Sequence, residues 1–296
     1  IALGGGSVID SAKSIGIGLK YDGDVWDFFE GKSNVEETVP VGVILTLPGA
    51  GSESSASAVI TKEEGWYKRS IDGVNLVRPK FALLNPELTF SLPEYQTSSG
   101  ACDILSHSLE RYLSNTVEAD LTDHLCEAVI KTILKSLPIV LKEPKNYNAR
   151  ANIMWAGSIS HNDIVGTGKI PAWECHKIEH ELSGIYDVAH GAGLTAITPA
   201  WMRYVYKEKL KMFNKFAMRI WDIEYDVENP ERSAEEGIQR LEDFFVKVKM
   251  PVSLKELGIE DNRFEEIAAK CTEEGPVGWF RPLDKEDIIK VLISAN

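Results

Sequence analysis

Gly100-Ala101-Cys102-Asp103-Ile104-Leu105-Ser106-His107 sets a carboxylate and an imidazole four residues apart in a largely apolar stretch. In a helix that gap puts both side chains on one face. Two polar groups on a buried face need partners, because unpaired burial costs several kcal/mol or shifts protonation. One solution is a mutual Asp–His hydrogen bond in the core. Another comes from the stretch Trp173-Glu174-Cys175-His176-Lys177-Ile178-Glu179-His180-Glu181-Leu182, where two more imidazoles stand four apart, and from His190 in Ala189-His190-Gly191. Taken alone, the histidine pair reads equally well as a core or surface pair, and it is not the HExxH of zinc proteases. Taken together, the three motifs are hard to explain as packing. Three imidazoles and a carboxylate suit Fe2+ or Zn2+. An open coordination position would take an alcohol or aldehyde oxygen, with the metal as Lewis acid. His124 and His161 have no comparable setting and read as ordinary histidines.

Outward from this stretch the pattern is helical. Apolar spacing of three and four marks helices over 95–113, 118–141, 148–164, 172–182, 192–206, 209–221, 234–248, 262–272 and 285–294. Pro138, Pro144, Gly166-Thr167-Gly168, Gly184, Gly191, Pro230, Pro251 and Gly258 read as the breakers between them. Before residue 93 the pattern differs. Ile1-Ala2-Leu3 reads as the end of a strand, Gly4-Gly5-Gly6-Ser7 as a turn, and 8–19 as a helix with Ser7 as N-cap. Strand, glycine turn and helix make a cradle for phosphate, although the pattern is not GxGxxG and a plain tight turn reads equally well. A short helix is expected over 24–30. Val41-Gly42-Val43-Ile44-Leu45 has the continuous apolar character of a buried strand. It runs into Thr46-Leu47-Pro48-Gly49-Ala50-Gly51-Ser52-Glu53, a second candidate for cofactor contact at a strand's carboxyl end. Short strands follow over 57–61 and 67–71, then a buried strand over 79–86. The expected division is an α/β nucleotide-binding part over 1–91 and an all-helical part over 92–296.

The 296 residues carry a net charge of −13, without a basic stripe to offset it. That argues against nucleic acid and against an anionic membrane surface as partners. The four cysteines form no CxxC pair and read as reduced thiols of a cytoplasmic protein. The opening residues, without a Met, read as a chain entering mid-strand, with an N-terminal segment expected before them.

The order Gly-Gly-Gly-Ser-x-x-Asp, Leu-Thr-Leu-Pro-x-x-Gly-Ser-Glu, Asp-x-x-x-His, His-x-x-x-His and Ala-His-Gly resembles the iron-containing (group III) alcohol dehydrogenases. Within them it is most similar to the butanol dehydrogenase and aldehyde reductase branch, and the similarity runs along essentially the whole chain. The resemblance implies a partial Rossmann-like domain followed by a helical metal domain, the dehydroquinate synthase-like fold. It implies Asp103, His107, His176 and His190 as metal ligands. His180 becomes a catalytic group near the nicotinamide, outside the ligand set. Gly5, Gly6, Ser7, Thr46, Leu47, Lys68 and Leu88 become cofactor contacts. The family begins with roughly a hundred further residues, the first half of the nucleotide domain. That half carries the choice between NAD and NADP, and the branch leans toward NADP. A homodimer acting on a small alcohol or aldehyde is implied. Ala50 and Asn85 depart from the branch, which has Thr and Asp there. Two other readings keep some weight: a same-fold polyol dehydrogenase or sugar-phosphate cyclase, and an inactive metal-binding chain.

Overall fold

The computed structural model describes residues 1–116 and 118–296. Strand β1 (Ala2–Gly4) leads into helix α1 (Gly6–Gly18). The cap is Gly5, with φ −94° and ψ −164°, and makes no side-chain cap bond, so the expected Ser7 cap is corrected. The extended glycine lets the helix begin sooner. Ser7 then sits in the first turn, where N–H groups have no intrahelical partner.

A short helix α2 (Trp26–Phe29) and strands β2 (Gly42–Leu45), β3 (Ala58–Lys62), β4 (Tyr67–Ile71) and β5 (Phe81–Leu83) follow. β1, β2 and β5 form a parallel sheet in the order β1-β2-β5, with Val43 beside Ala2 and Ala82. β3 and β4 form an antiparallel hairpin. Because β1 and β2 are parallel neighbours, both glycine loops leave the same edge of the sheet. Thr46 N donates to Gly4 O at 3.0 Å and ties them together. The strand expected over 79–86 is shorter, because Pro86 opens a 3-10 turn, Pro86–Thr89. Asn85 Oδ1 accepts from Glu87 N at 3.0 Å, so the amide caps that turn as an aspartate would.

The helical part contains α3 (Glu94–Tyr112), α4 (Asp120–Lys142), α5 (Tyr147–Ser160), α6 (Glu174–Tyr186) and α7 (His190–Val205). It continues through α8 (Leu210–Trp221), α9 (Pro230–Lys247), α10 (Phe264–Cys271) and α11 (Lys285–Ser294). Three expected breakers do not break. Pro138 lies inside α4, Gly184 inside α6 and Gly191 in the first turn of α7. Pro138 loses one backbone bond, but buried Ile133, Leu137 and Val140 hold the helix through it. The helix expected over 148–164 instead ends at Ser160. Asp163 is left-handed, with φ 76°, and Ile164–Gly166 forms a separate turn.

α3 is the central helix, with Ala101, Ile104, Leu105 and Leu109 buried against its neighbours. Each fully buried Leu or Ile is worth about 1.5–3 kcal/mol. Two glycines set how closely its partners approach. A Cβ at Gly100 would strike the Pro48 carbonyl, and one at Gly191 the Ser99 carbonyl. The second glycine loop and the start of α7 can therefore both lie against α3, which bears Asp103 and His107. A smaller core joins Ala2, Ile9, Val43 and Leu45 to Met154 of α5.

Candidate metal and cofactor site

Asp103 and His107 project from α3, His176 and His180 from α6, and His190 from the first residue of α7. One potential ligand atom each from Asp103, His107 and His176 lies within 4.8 Å of the others. His190 Nε2 is 3.7 Å from Asp103 Oδ1, and His176 Nε2 is 3.8 Å from the same oxygen. His107 Nδ1 is 3.4 Å from it. Asp103 Oδ1, His107 Nδ1 and His176 Nε2 are buried and have no hydrogen-bond partner among the described residues. Three orphaned polar atoms converging on one point are what a divalent cation would satisfy, so the donor set fits a metal.

Two glutamates behind the cluster orient it. Glu110 Oε2 meets His176 Nδ1, and Glu179 Oε2 meets His190 Nδ1. Each bond places a proton on Nδ1 and turns Nε2 toward Asp103, the nitrogen that would face a metal. Burial opposes charge on His176, yet the Glu110 and Asp103 carboxylates hold its pKa up at about 9. Burial pushes His107 and His190 well below the usual histidine range, so both are neutral. Burial raises Glu179 to about 7, against the pull of Lys68. Neither glutamate is prominent in the sequence. The available signal was periodicity: Glu110 follows His107 by three, and Glu179 follows His176 by three.

His180 faces the same space, its ring centroid 5.5 Å from that of His190. Burial and then the Lys68 charge push its pKa well down. Lys68 Nζ donates to Ser183 Oγ at 2.7 Å and lies 3.8 Å from Glu179 Oε2. His161 requires correction: it is no ordinary histidine. The end of α5 at Ser160 turns its ring to 4.3 Å from that of His107. His124 is exposed beside Glu127, as expected. Cys102 and Cys175 are fully buried and burial raises both thiols, so neither is poised for reaction.

A cavity of about 1360 Å³ joins the cluster to the first glycine loop. Gly6, Ser7, Leu47 and Lys68 line it, with Asp103, His107, His176, His180 and His190. Gly5, Thr46 and Leu88 are not in its lining; Gly5 and Thr46 shape the loops behind it, and Leu88 sits on the exposed side of the 3-10 turn. A buried polar group braces the cofactor side. Lys13 Nζ donates to Ser57 O at 2.6 Å and to Ser55 O at 3.2 Å, while Asp10 accepts from Ser52 Oγ and from Val59 N at 3.1 Å. This group ties α1 to the second glycine loop.

Residues 1–86 match the family model described as iron-containing alcohol dehydrogenase, and residues 97–296 match its C-terminal counterpart. NADH-dependent butanol dehydrogenase A of Clostridium acetobutylicum is 38% identical over 98% of this chain and 75% of its own length. The NADPH-dependent aldehyde reductase YqhD of Escherichia coli is 31% identical over 93% of this chain and 71% of its own. The crystal structure of NADH-dependent butanol dehydrogenase A from Thermotoga maritima superposes with a TM-score of 0.95 at 36% identity, covering 99% of this chain and 75% of that one. Fold and cavity are those of an oxidoreductase of the alcohol dehydrogenase class. The chain belongs to the iron-containing alcohol dehydrogenase family.

Proposed function

We propose that the chain catalyses reversible hydride transfer between a nicotinamide cofactor and a primary alcohol or aldehyde of butanol-like size, with Asp103, His107, His176 and His190 holding a divalent iron or zinc ion. The observation that carries this reading is the convergence of orphaned Asp103 Oδ1, His107 Nδ1 and His176 Nε2 at one end of a cavity that reaches a glycine loop. When bound, the metal would polarise the substrate oxygen and the nicotinamide would carry the hydride.

The chain's own residues hold the geometry. Glu110 and Glu179 fix the tautomers of His176 and His190. Gly6 and Ser7, at the first turn of α1, offer N–H groups to the pyrophosphate. Lys68, held by Ser183, stands between the cofactor side and Glu179. His180, kept neutral, exchanges a proton with the substrate oxygen at a ring nitrogen, directly or through water. The burial of Asp103, His107 and His176 keeps bulk water from the reacting atoms.

The finer fold reading belongs to this proposal too: 1–91 as part of a dinucleotide-binding α/β domain, 92–296 as the metal and substrate domain. It is supported by the parallel order β1-β2-β5 and by the outward faces of Leu3, Phe81 and Leu83, which leave apolar surface for further packing. A homodimer in the cytoplasm completes the proposal. No described helix is long and apolar enough to cross a membrane.

The test is a spectrophotometric assay at the nicotinamide absorbance with butanal, run with NADH and with NADPH. Oxidation of one reduced cofactor in step with butanal consumption is expected. Consumption of neither, in metal-replete protein, would refute the reading.

A further inference from the structure

Beyond His107 the cavity reaches a charged group that hydride transfer does not use. Arg111 lies one helical turn further along α3, lines the cavity and is 3% exposed. Among the described residues no carboxylate pairs with it. Neighbouring Glu110 is turned to His176, and Asp163 pairs with Arg78 at 2.8 Å.

The partners of Arg111 are neutral. Its Nη1 donates to His107 O at 3.1 Å and its Nη2 lies 3.2 Å from His161 Nδ1. Its guanidinium lies 4.6 Å from the centroid of the Trp173 ring. A guanidinium has five N–H donors and no acceptor, so three N–H groups remain without an acceptor among the described residues. Burial lowers its pKa to about 10, which leaves it charged at neutral pH. A charge removed from water without a counter-ion is costly, and the cation–π contact offsets only part of that cost. Because arginine only donates, His161 Nδ1 must accept and its proton sits on Nε2. His161 is therefore a neutral acceptor that braces Arg111 against His107.

A buried, uncompensated cation beside the reacting centre is complementary to an anionic substrate. We propose that Arg111 binds a carboxylate at the far end of the substrate, so that the preferred substrates are short-chain ω-oxo acids and the matching ω-hydroxy acids. This rests on the hydride-transfer reading of the same cavity. In the reductive direction the aldehyde carbon gains hydride from the reduced nicotinamide, its oxygen takes a proton, and the carboxylate is unchanged. The competing role for Arg111 is purely structural, tying Trp173 and His161 across the cavity.

The experiment compares 4-oxobutanoate with pentanal, using wild type, Arg111→Gln and Arg111→Lys. A charge-assisted hydrogen bond predicts that wild type favours 4-oxobutanoate in kcat/KM by about 10-fold or more. Arg111→Gln should collapse that ratio by about 10-fold or more, mainly through KM, and Arg111→Lys should restore part of it. Calorimetric titration of 4-oxobutanoate into cofactor-free protein should show binding to wild type, weakened about 10-fold in Arg111→Gln. Equal or better use of pentanal by wild type, or an unchanged ratio in Arg111→Gln, would overturn the proposal while leaving the dehydrogenase reading intact. If neither aldehyde is turned over, that reading falls, and absence of calorimetric binding overturns the carboxylate site as well.

Discussion

Glu110 shows how much a single buried side chain can decide. It accepts from Cys175 N at 2.7 Å and from His176 N at 3.3 Å, and its Oε2 also meets His176 Nδ1. One carboxylate therefore both starts α6 and sets the tautomer of a proposed ligand. Replacing it by Gln keeps the size, but the amide then presents either a donor or a weaker acceptor to Nδ1. Glu110→Gln is expected to weaken metal binding about 10- to 100-fold, read by titration of the apoprotein with a competing chelator. An unchanged affinity would mean that His176 does not ligate. The spacing of Asp103 and His107 is legible from sequence because a helix converts four residues into one face. Glu110 and Glu179 are not, because a glutamate on a helix is usually solvated and only tertiary packing reveals that these two are buried.

Elements carry the next level of organisation. The two glycine loops lie side by side because β1 and β2 are parallel neighbours, and α1 is pinned to the second loop by Lys13 and Asp10. Lys13 is fully buried, and its ammonium lies 3.9 Å from Asp10 Oδ1. Lys13→Met would leave Asp10 buried without its cation. We expect a loss of about 3–5 kcal/mol in denaturant unfolding, with weaker cofactor binding as the loop loosens. A variant as stable as wild type would show that Lys13 is not a brace. The sequence also hid where α5 ends. The apolar period continues smoothly through His161, and no Gly or Pro marks the stop. The left-handed Asp163 makes the break, and that break carries His161 into the cavity. Conversely, Pro138 and Gly184 look like breakers but sit inside helices, because buried faces on both sides outweigh a single lost bond or a missing side chain.

On the scale of the whole molecule, stability and function meet where α6 docks on the C-terminal segment. Glu174 is fully buried and accepts from Phe280 N at 2.8 Å and Arg281 N at 3.1 Å. Burial, with the nearby Glu110 charge, raises its pKa to about 8, against a usual 4.5. A folded-state pKa above the unfolded one means that the folded chain holds the proton more tightly. That contribution to stability is complete below pH 4.5 and is lost as pH rises through about 8. Glu174→Gln, which mimics the protonated form, should flatten the fall in denaturation midpoint across this window. An unaltered pH profile would show that another group is responsible. The passage from strands to long helices was readable from the change of apolar period at about residue 93. The central place of α3 was not, because it depends on Gly100 and Gly191 admitting neighbours to van der Waals contact.

Turnover is proposed to depend on a metal held by Asp103, His107, His176 and His190. Metal content and aldehyde reduction measured on the same samples of wild type and His107→Ala, before and after dialysis against chelator, decide whether this holds. About one divalent ion per wild-type chain is expected, with loss of activity when the metal is removed and recovery on adding Fe2+ or Zn2+. His107→Ala should lose metal and activity together. Full turnover by metal-free wild type, or by His107→Ala without metal, would contradict it.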